Sequence, residues 1–166
     1  GEAFSVVFRD INNIKNKQFL SDVGLGSQRL VELILGVAKV IHEKQKHSLS
    51  YEPLVLVEEP EAHLHPALQS KLTEFFYAVN REYDIRFIIE THSEYIVRKS
   101  QLIALEENLL ENEELNPFNV IYFDQEKGPY TMKYQEDGTF DVDFGEGFYD
   151  VASDISLKMF LRNNPM

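Results

Sequence analysis

An α/β fold is what this sequence predicts, with parallel strands flanked by helices and a late β-hairpin, and three observations carry it. The apolar run at residues 54–57, Leu-Val-Leu-Val, ends in Glu58 and Glu59 and is followed by a helical pattern from Pro66. A second apolar run, residues 85–89, leads through Thr91, His92 and Ser93 into another helical pattern. Residues 118–124 and 130–134 flank Lys127-Gly128-Pro129 as a hairpin would. Short continuous apolar runs of this kind predict strands of a parallel sheet, covered on both faces.

Taken in order, the chain opens with a strand near residues 4–8. A helix follows from about Ser27 to Lys44, with Leu30, Ile34, Val37 and Ile41 on one face and Leu33 beside them. Residues 42–48 are polar and read as an exit loop. The first apolar strand leads into a helix over residues 66–83, where Pro66 suits the first turn and Leu68, Leu72, Phe75, Phe76 and Val79 form the buried stripe. The second strand leads to a helix beginning near Glu94, with Thr91 to Ser93 as its cap. Residues 111–114 belong to an acidic stretch read as a solvated face or loop. A last helix is expected over residues 151–162. Asp141 and Asp143, among Gly and Phe residues, read as part of a turn. No internal repeat or low-complexity linker is present, and one domain over residues 1–166 is expected.

Two adjacent carboxylates at a strand end repel each other, a cost that a nearby cation or phosphate-bound metal removes. The carboxyl ends of strands are also where open α/β sheets bind ligands. Pro60 then ends the strand. In this pattern the first acid holds Mg²⁺ and the second orients and deprotonates an attacking water. A His at the end of the neighbouring strand, His92, can reach a phosphate bound beside Glu58 and Glu59. Upstream, Gly24 and Gly26 permit close backbone approach, and Ser27 is read as the cap of a helix N-terminus, a ready anion site.

In that order, the glycine-serine turn, the Glu-Glu strand and the Thr-His-Ser strand resemble the C-terminal half of an ABC-type ATPase head, a partial P-loop NTPase fold. The class includes SMC, RecF and bacterial AAA ATPases related to OLD-family nucleases. The run Glu58-Glu59-Pro60-Glu61-Ala62-His63-Leu64-His65-Pro66 is similar to the AAA-type subset of prokaryotic predicted ATP-binding proteins. The resemblance covers most of residues 20–165. It implies ATP and Mg²⁺ as cofactors, Glu58 as metal ligand, and Glu59 and His92 as catalytic residues. It also implies that Ser21, Gly24, Gly26, Ser27 and Gln28 of the signature turn, and His65 of the D-loop, bind nucleotide at an interface between two subunits. Three features depart from the family pattern: Glu58 stands where Asp is common, His65 replaces the usual D-loop Asp, and the signature glycines are spread out, leaving Ser27 or Ser21 to face the γ-phosphate.

The phosphate-binding loop itself, G-x-x-x-x-G-K-[ST], has no counterpart, since no Gly-Lys pair occurs in the sequence. The chain is therefore expected to be the C-terminal part of a longer head, inactive by itself. Composition supports a single soluble cytoplasmic domain: hydrophobic content is 43%, cysteine is absent, and no apolar run reaches membrane-spanning length. With 28 acids against 16 bases and a net charge of -12, the surface repels nucleic acid, so contact with DNA or an effector belongs to other parts of the parent protein. Two alternatives remain open on the sequence. One is an ATPase-like interaction module without turnover. The other is a metal site built from His63, His65, His92 and Glu61.

Overall fold

The computed structural model describes residues 7–10, 13–19, 24–47, 52–110, 116–145 and 148–163. Ser21 and the acidic residues 111–114 lie outside them. Contacts divide the chain into two compact units, residues 1–97 and residues 98–166, with the division falling inside one helix.

The first unit opens with β1 (Val7–Asp10) and β2 (Asn13–Phe19), an antiparallel pair. Of the first strand expected near residues 4–8, residues 4–6 lie outside the described residues; β2 was not anticipated. Helix α1 (Leu25–His47) starts before Ser27 and continues through the residues read as a polar exit loop. The continuation has a physical cause at Lys44. Its ammonium donates to the carbonyls of Tyr83 and Asp84 at 2.8 and 2.7 Å, and so holds the last turns of α1 in place.

The centre of the unit is a β-α-β arrangement: β3 (Leu54–Glu58), α2 (Pro66–Tyr83) and β4 (Arg86–Glu90). The two strands pair in parallel, from Leu54 opposite Arg86 to Glu58 opposite Glu90. A parallel pair requires a crossover of a dozen or more residues, which α2 supplies. His65 caps α2, its Nδ1 accepting from the Ala67 N–H at 3.2 Å, and Pro66 occupies the first turn where a missing donor costs nothing. At the other end Asp84 adopts a left-handed conformation, φ 51°, and its N–H closes on the Asn80 carbonyl at 2.8 Å.

The strands bury one face only. Val55, Val57, Phe87 and Ile89 pack against Leu30, Leu33 and Val37 of α1, against Phe75, Phe76 and Val79 of α2, and against Ile96. On the opposite face Leu56 is 70% and Ile88 57% exposed. This corrects the expectation of strands covered on both faces: α1, α2 and Ile96 all pack on the same side, and no described residue covers the other. Two stripe positions differ as well, since Ile34 and Leu68 are exposed.

Helix α3 (Glu94–Glu106) begins at its predicted cap. The Ser93 hydroxyl accepts the Ile96 N–H at 3.3 Å and donates to Gln69 Oε1 at 2.5 Å, while Thr91 Oγ1 accepts the Ser93 N–H at 3.0 Å.

The second unit contains the late hairpin, β5 (Val120–Asp124) and β6 (Gly128–Met132), as the sequence predicts. The Asp124 carboxylate accepts the N–H groups of Glu126 and Lys127, both at 2.8 Å, which pins the turn and lowers its pKa. Tyr134 donates to or accepts from Ser100 at 2.8 Å. Gln101 holds the Gly138 carbonyl at 2.8 Å; Gly138 has φ 82°, a conformation that suits glycine. Asp141 accepts the Lys133 N–H at 2.8 Å, the structural use read from its surroundings. Tyr122 packs edge-on against Tyr130, Phe144 and Phe148. The last element, α4 (Val151–Asn163), presents exposed apolar side chains, Ile155 and Phe160 among them.

Candidate active site at the strand ends

Parallel pairing in register brings the carboxyl ends of β3 and β4 side by side, and the placement of the candidate residues follows from that. Glu58, the last residue of β3, is exposed and stands opposite Glu90. Beyond the strand one more ladder bond forms, from the Glu59 N–H to the Glu90 carbonyl at 2.9 Å. Glu59 then adopts φ 43°, a left-handed conformation rare for a residue with a side chain. Such positions persist only where surrounding contacts hold them, and they cluster at functional sites. The bend separates the paths of the two adjacent acids, leaving Glu59 to lie beside His92.

His92 Nε2 lies 3.3 Å from Glu90 Oε1 and 3.8 Å from Glu59 Oε1. All three side chains are more than half exposed, with His92 at 66%. Among the described residues, Glu59 and Glu90 share His92 as an ion-pair partner. The loop carrying His92 is fixed from below: Glu61 Oε1 accepts the His92 backbone N–H at 2.7 Å. The second oxygen of Glu61, Oε2, is buried without a hydrogen-bond partner.

The turn after β3 is also wedged against the start of α1. Gly26 is buried, and a side-chain carbon there would collide with the His63 carbonyl. The close approach that Gly26 permits is thus to this chain's own backbone. Gly24 is exposed with open space around it, and its carbonyl accepts the N–H groups of Ser27 and Gln28 at 3.0 and 3.2 Å. Ser27 therefore sits inside the first turn of α1, exposed, rather than at the capping position read from the sequence.

The structure brings Glu59 and His92 together with Glu90, and leaves Glu58 next to Glu90 along the ladder. It does not gather His63 and His65 with His92 and Glu61. Among the described residues, Glu59, Glu90 and His92 form the one group of three His or carboxylate side chains whose ligand atoms all lie within 4.8 Å of one another. His65 uses its Nδ1 to cap α2, and His63 is exposed in a left-handed turn, φ 64°. Glu90 was not singled out as a site residue from the sequence, and Glu61 was read there only as a ligand in the alternative metal site with His63, His65 and His92. Glu90 carried a signal, being an acid ending an apolar strand two residues before His92. The support that Glu61 gives the His92 backbone carried none, because that bond spans the whole of α2 and β4.

A parallel strand pair with acids and a His at its carboxyl ends places polar side chains at the edge where open α/β sheets bind ligands. The chain belongs to the AAA ATPase domain family, whose model matches residues 4–97, more than half of its length. The match contains β3, β4 and every residue of the strand-end cluster. Among solved structures the chain is similar to one described under "Structural biochemistry of ATP-driven dimerization and DNA stimulated activation of SMC ATPases". That likeness has a TM-score of 0.46 at 14% identity, over 88% of this chain and 67% of the other. No curated protein matches the sequence. No helix among the described residues is long and apolar enough to cross a membrane.

Proposed function

We propose that this chain supplies the hydrolytic strand ends of an AAA-family ATPase and acts together with a phosphate-binding loop that its own residues do not contain. The observation that carries the reading is the convergence of Glu59 and His92 at the ends of two paired parallel strands, 3.8 Å apart. Glu58 is an exposed carboxylate at the end of β3, a donor that suits Mg²⁺, which takes carboxylate oxygens while keeping several waters. Mg²⁺ would supply charge neutralisation for the phosphates. Glu59 orients the attacking water and accepts its proton. His92 Nε2 faces the same space and donates to the terminal phosphate. The exposed start of α1, with Gly24, Ser27 and Gln28, is presented to nucleotide held by a second copy, so the working unit is a homodimer; this part rests on the resemblance of its signature turn to ABC-type heads. Without the loop that cradles the phosphates, the chain alone does not turn over ATP, because Glu59 has no positioned substrate.

The test is Glu59→Gln in the ATPase that unites this chain with a phosphate-binding loop. The amide keeps size and hydrogen bonding but removes the base, so ATP binding is retained while phosphate release falls by roughly 10²–10⁴-fold. Normal turnover in Glu59→Gln with loss in Glu58→Gln would exchange the roles of the two acids.

A further inference from the structure

Glu90 is not needed for the hydrolytic reading, and its position adds a second chemistry to the site. Its carboxylate stands 3.3 Å from His92 Nε2. Glu58, Glu59 and Glu90 thus place three carboxylates on two adjacent strand ends, with His92 beside them. The 3.8 Å separation of His92 from Glu59 is too long for a hydrogen bond, so the imidazole does not close that gap by itself.

We propose that Glu59, Glu90 and His92 form a binding site for a borderline-soft divalent cation of the Zn²⁺ type. Their ligand atoms lie within 4.8 Å of one another. Small side-chain rotations at exposed positions would bring each to about 2.0–2.2 Å from a common ion. One imidazole nitrogen and two carboxylate oxygens suit Zn²⁺, whereas Mg²⁺ takes oxygen ligands. Three protein ligands leave a fourth position, and the exposure of all three side chains opens it to water or to an anionic ligand. The supporting residue is also present: Glu61 fixes the His92 backbone, so the ligand loop does not have to be ordered on binding. The site does not use Glu58, but it takes the Glu59 carboxylate and His92 Nε2 of the hydrolytic reading, so a bound Zn²⁺ excludes the hydrolytic roles of both while it is held.

The experiment is calorimetric titration of the metal-free protein with Zn²⁺ in the absence of nucleotide, which makes its outcome independent of whether the chain serves an ATPase. One Zn²⁺ per chain is expected, with excess Mg²⁺ failing to compete. His92→Ala and Glu90→Gln should each weaken binding by at least about tenfold, the lower end of what loss of even a supporting residue costs a metal site. Circular dichroism should show both variants folded, since both side chains are exposed. His42→Ala and His63→Ala should bind as the parent does. Absence of Zn²⁺ binding, displacement by Mg²⁺, unchanged affinity in Glu90→Gln, or loss on His42→Ala or His63→Ala would each overturn the proposal.

Discussion

Glu61 accepts the backbone N–H of His92 at 2.7 Å, across 31 residues of sequence, and so ties the turn after β3 to the loop after β4. A carboxylate bonded to a backbone N–H is a charge-assisted contact, stronger than a neutral one. Glu61→Gln retains an oxygen acceptor and should leave the fold nearly as stable. Glu61→Ala leaves the His92 N–H without this acceptor and should cost about 1–3 kcal/mol, read from urea unfolding. Equal stability of the Ala and Gln variants would show that the bond does not hold the loop.

The glycines of α1 should separate cleanly. Gly26→Ala forces a methyl group into the His63 carbonyl and should destabilise by about 1–3 kcal/mol, because backbone rather than a flexible side chain must give way. Gly36 lies in the interior of the same helix with nothing within 4 Å of an added carbon. Gly36→Ala should therefore stabilise by about 0.5–1 kcal/mol. Thermal unfolding of the two variants beside the parent measures both signs at once.

A shared nucleotide site makes a prediction about mixtures. Ser27→Arg in the complete ATPase places a bulky cation on the exposed first turn of α1, without touching the core face of that helix. It should bind ATP yet neither dimerise nor hydrolyse it. Mixed with Glu59→Gln subunits it should regain part of the activity, since one composite site then keeps both an intact base and an intact signature turn. Normal hydrolysis by a monomeric Ser27→Arg protein would remove the shared-site reading.

The alkaline limb of stability should depend on Tyr134. Loss of hydration pushes its hydroxyl up to about 12 from 10.0, against a smaller opposing effect of the Ser100 hydrogen bond. The folded state thus favours the neutral phenol. Its contribution is complete below the unfolded pKa near 10.0 and is lost as pH rises through that value towards about 12. Unfolding free energies measured between pH 9 and 12 should fall more steeply for the parent than for Tyr134→Phe.

Much of this was written in local sequence. Strands β3 and β4 announced themselves as apolar runs, and α2 was bounded by Pro66 and Tyr83 as read. The Ser93 cap and the late hairpin depend on neighbouring residues alone, so they too were legible. The misses share a cause, which is that tertiary partners decided them. Residues 42–47 stay helical because Lys44 finds carbonyls 39 and 40 residues away. Leu56 and Ile88 look like core in sequence, and only the placement of α1 and α2 on one side shows otherwise. In the site, Glu59 and His92 were recognisable by chemistry and order. The partnership of His92 with Glu90 and Glu61 required the register of the parallel pair and the fold of the turn.

The contacts at the two ends of α1 give that helix a mechanical character. Near its start Gly26 abuts the His63 carbonyl, and near its end Lys44 grips the carbonyls of Tyr83 and Asp84. At a rise of about 1.5 Å per residue, these anchor points are about 27 Å apart along the axis. A helix held at both ends is a strut of fixed length. It spans the unit from the turn after β3 to the end of α2, so the length of α1 sets the spacing between those two loops.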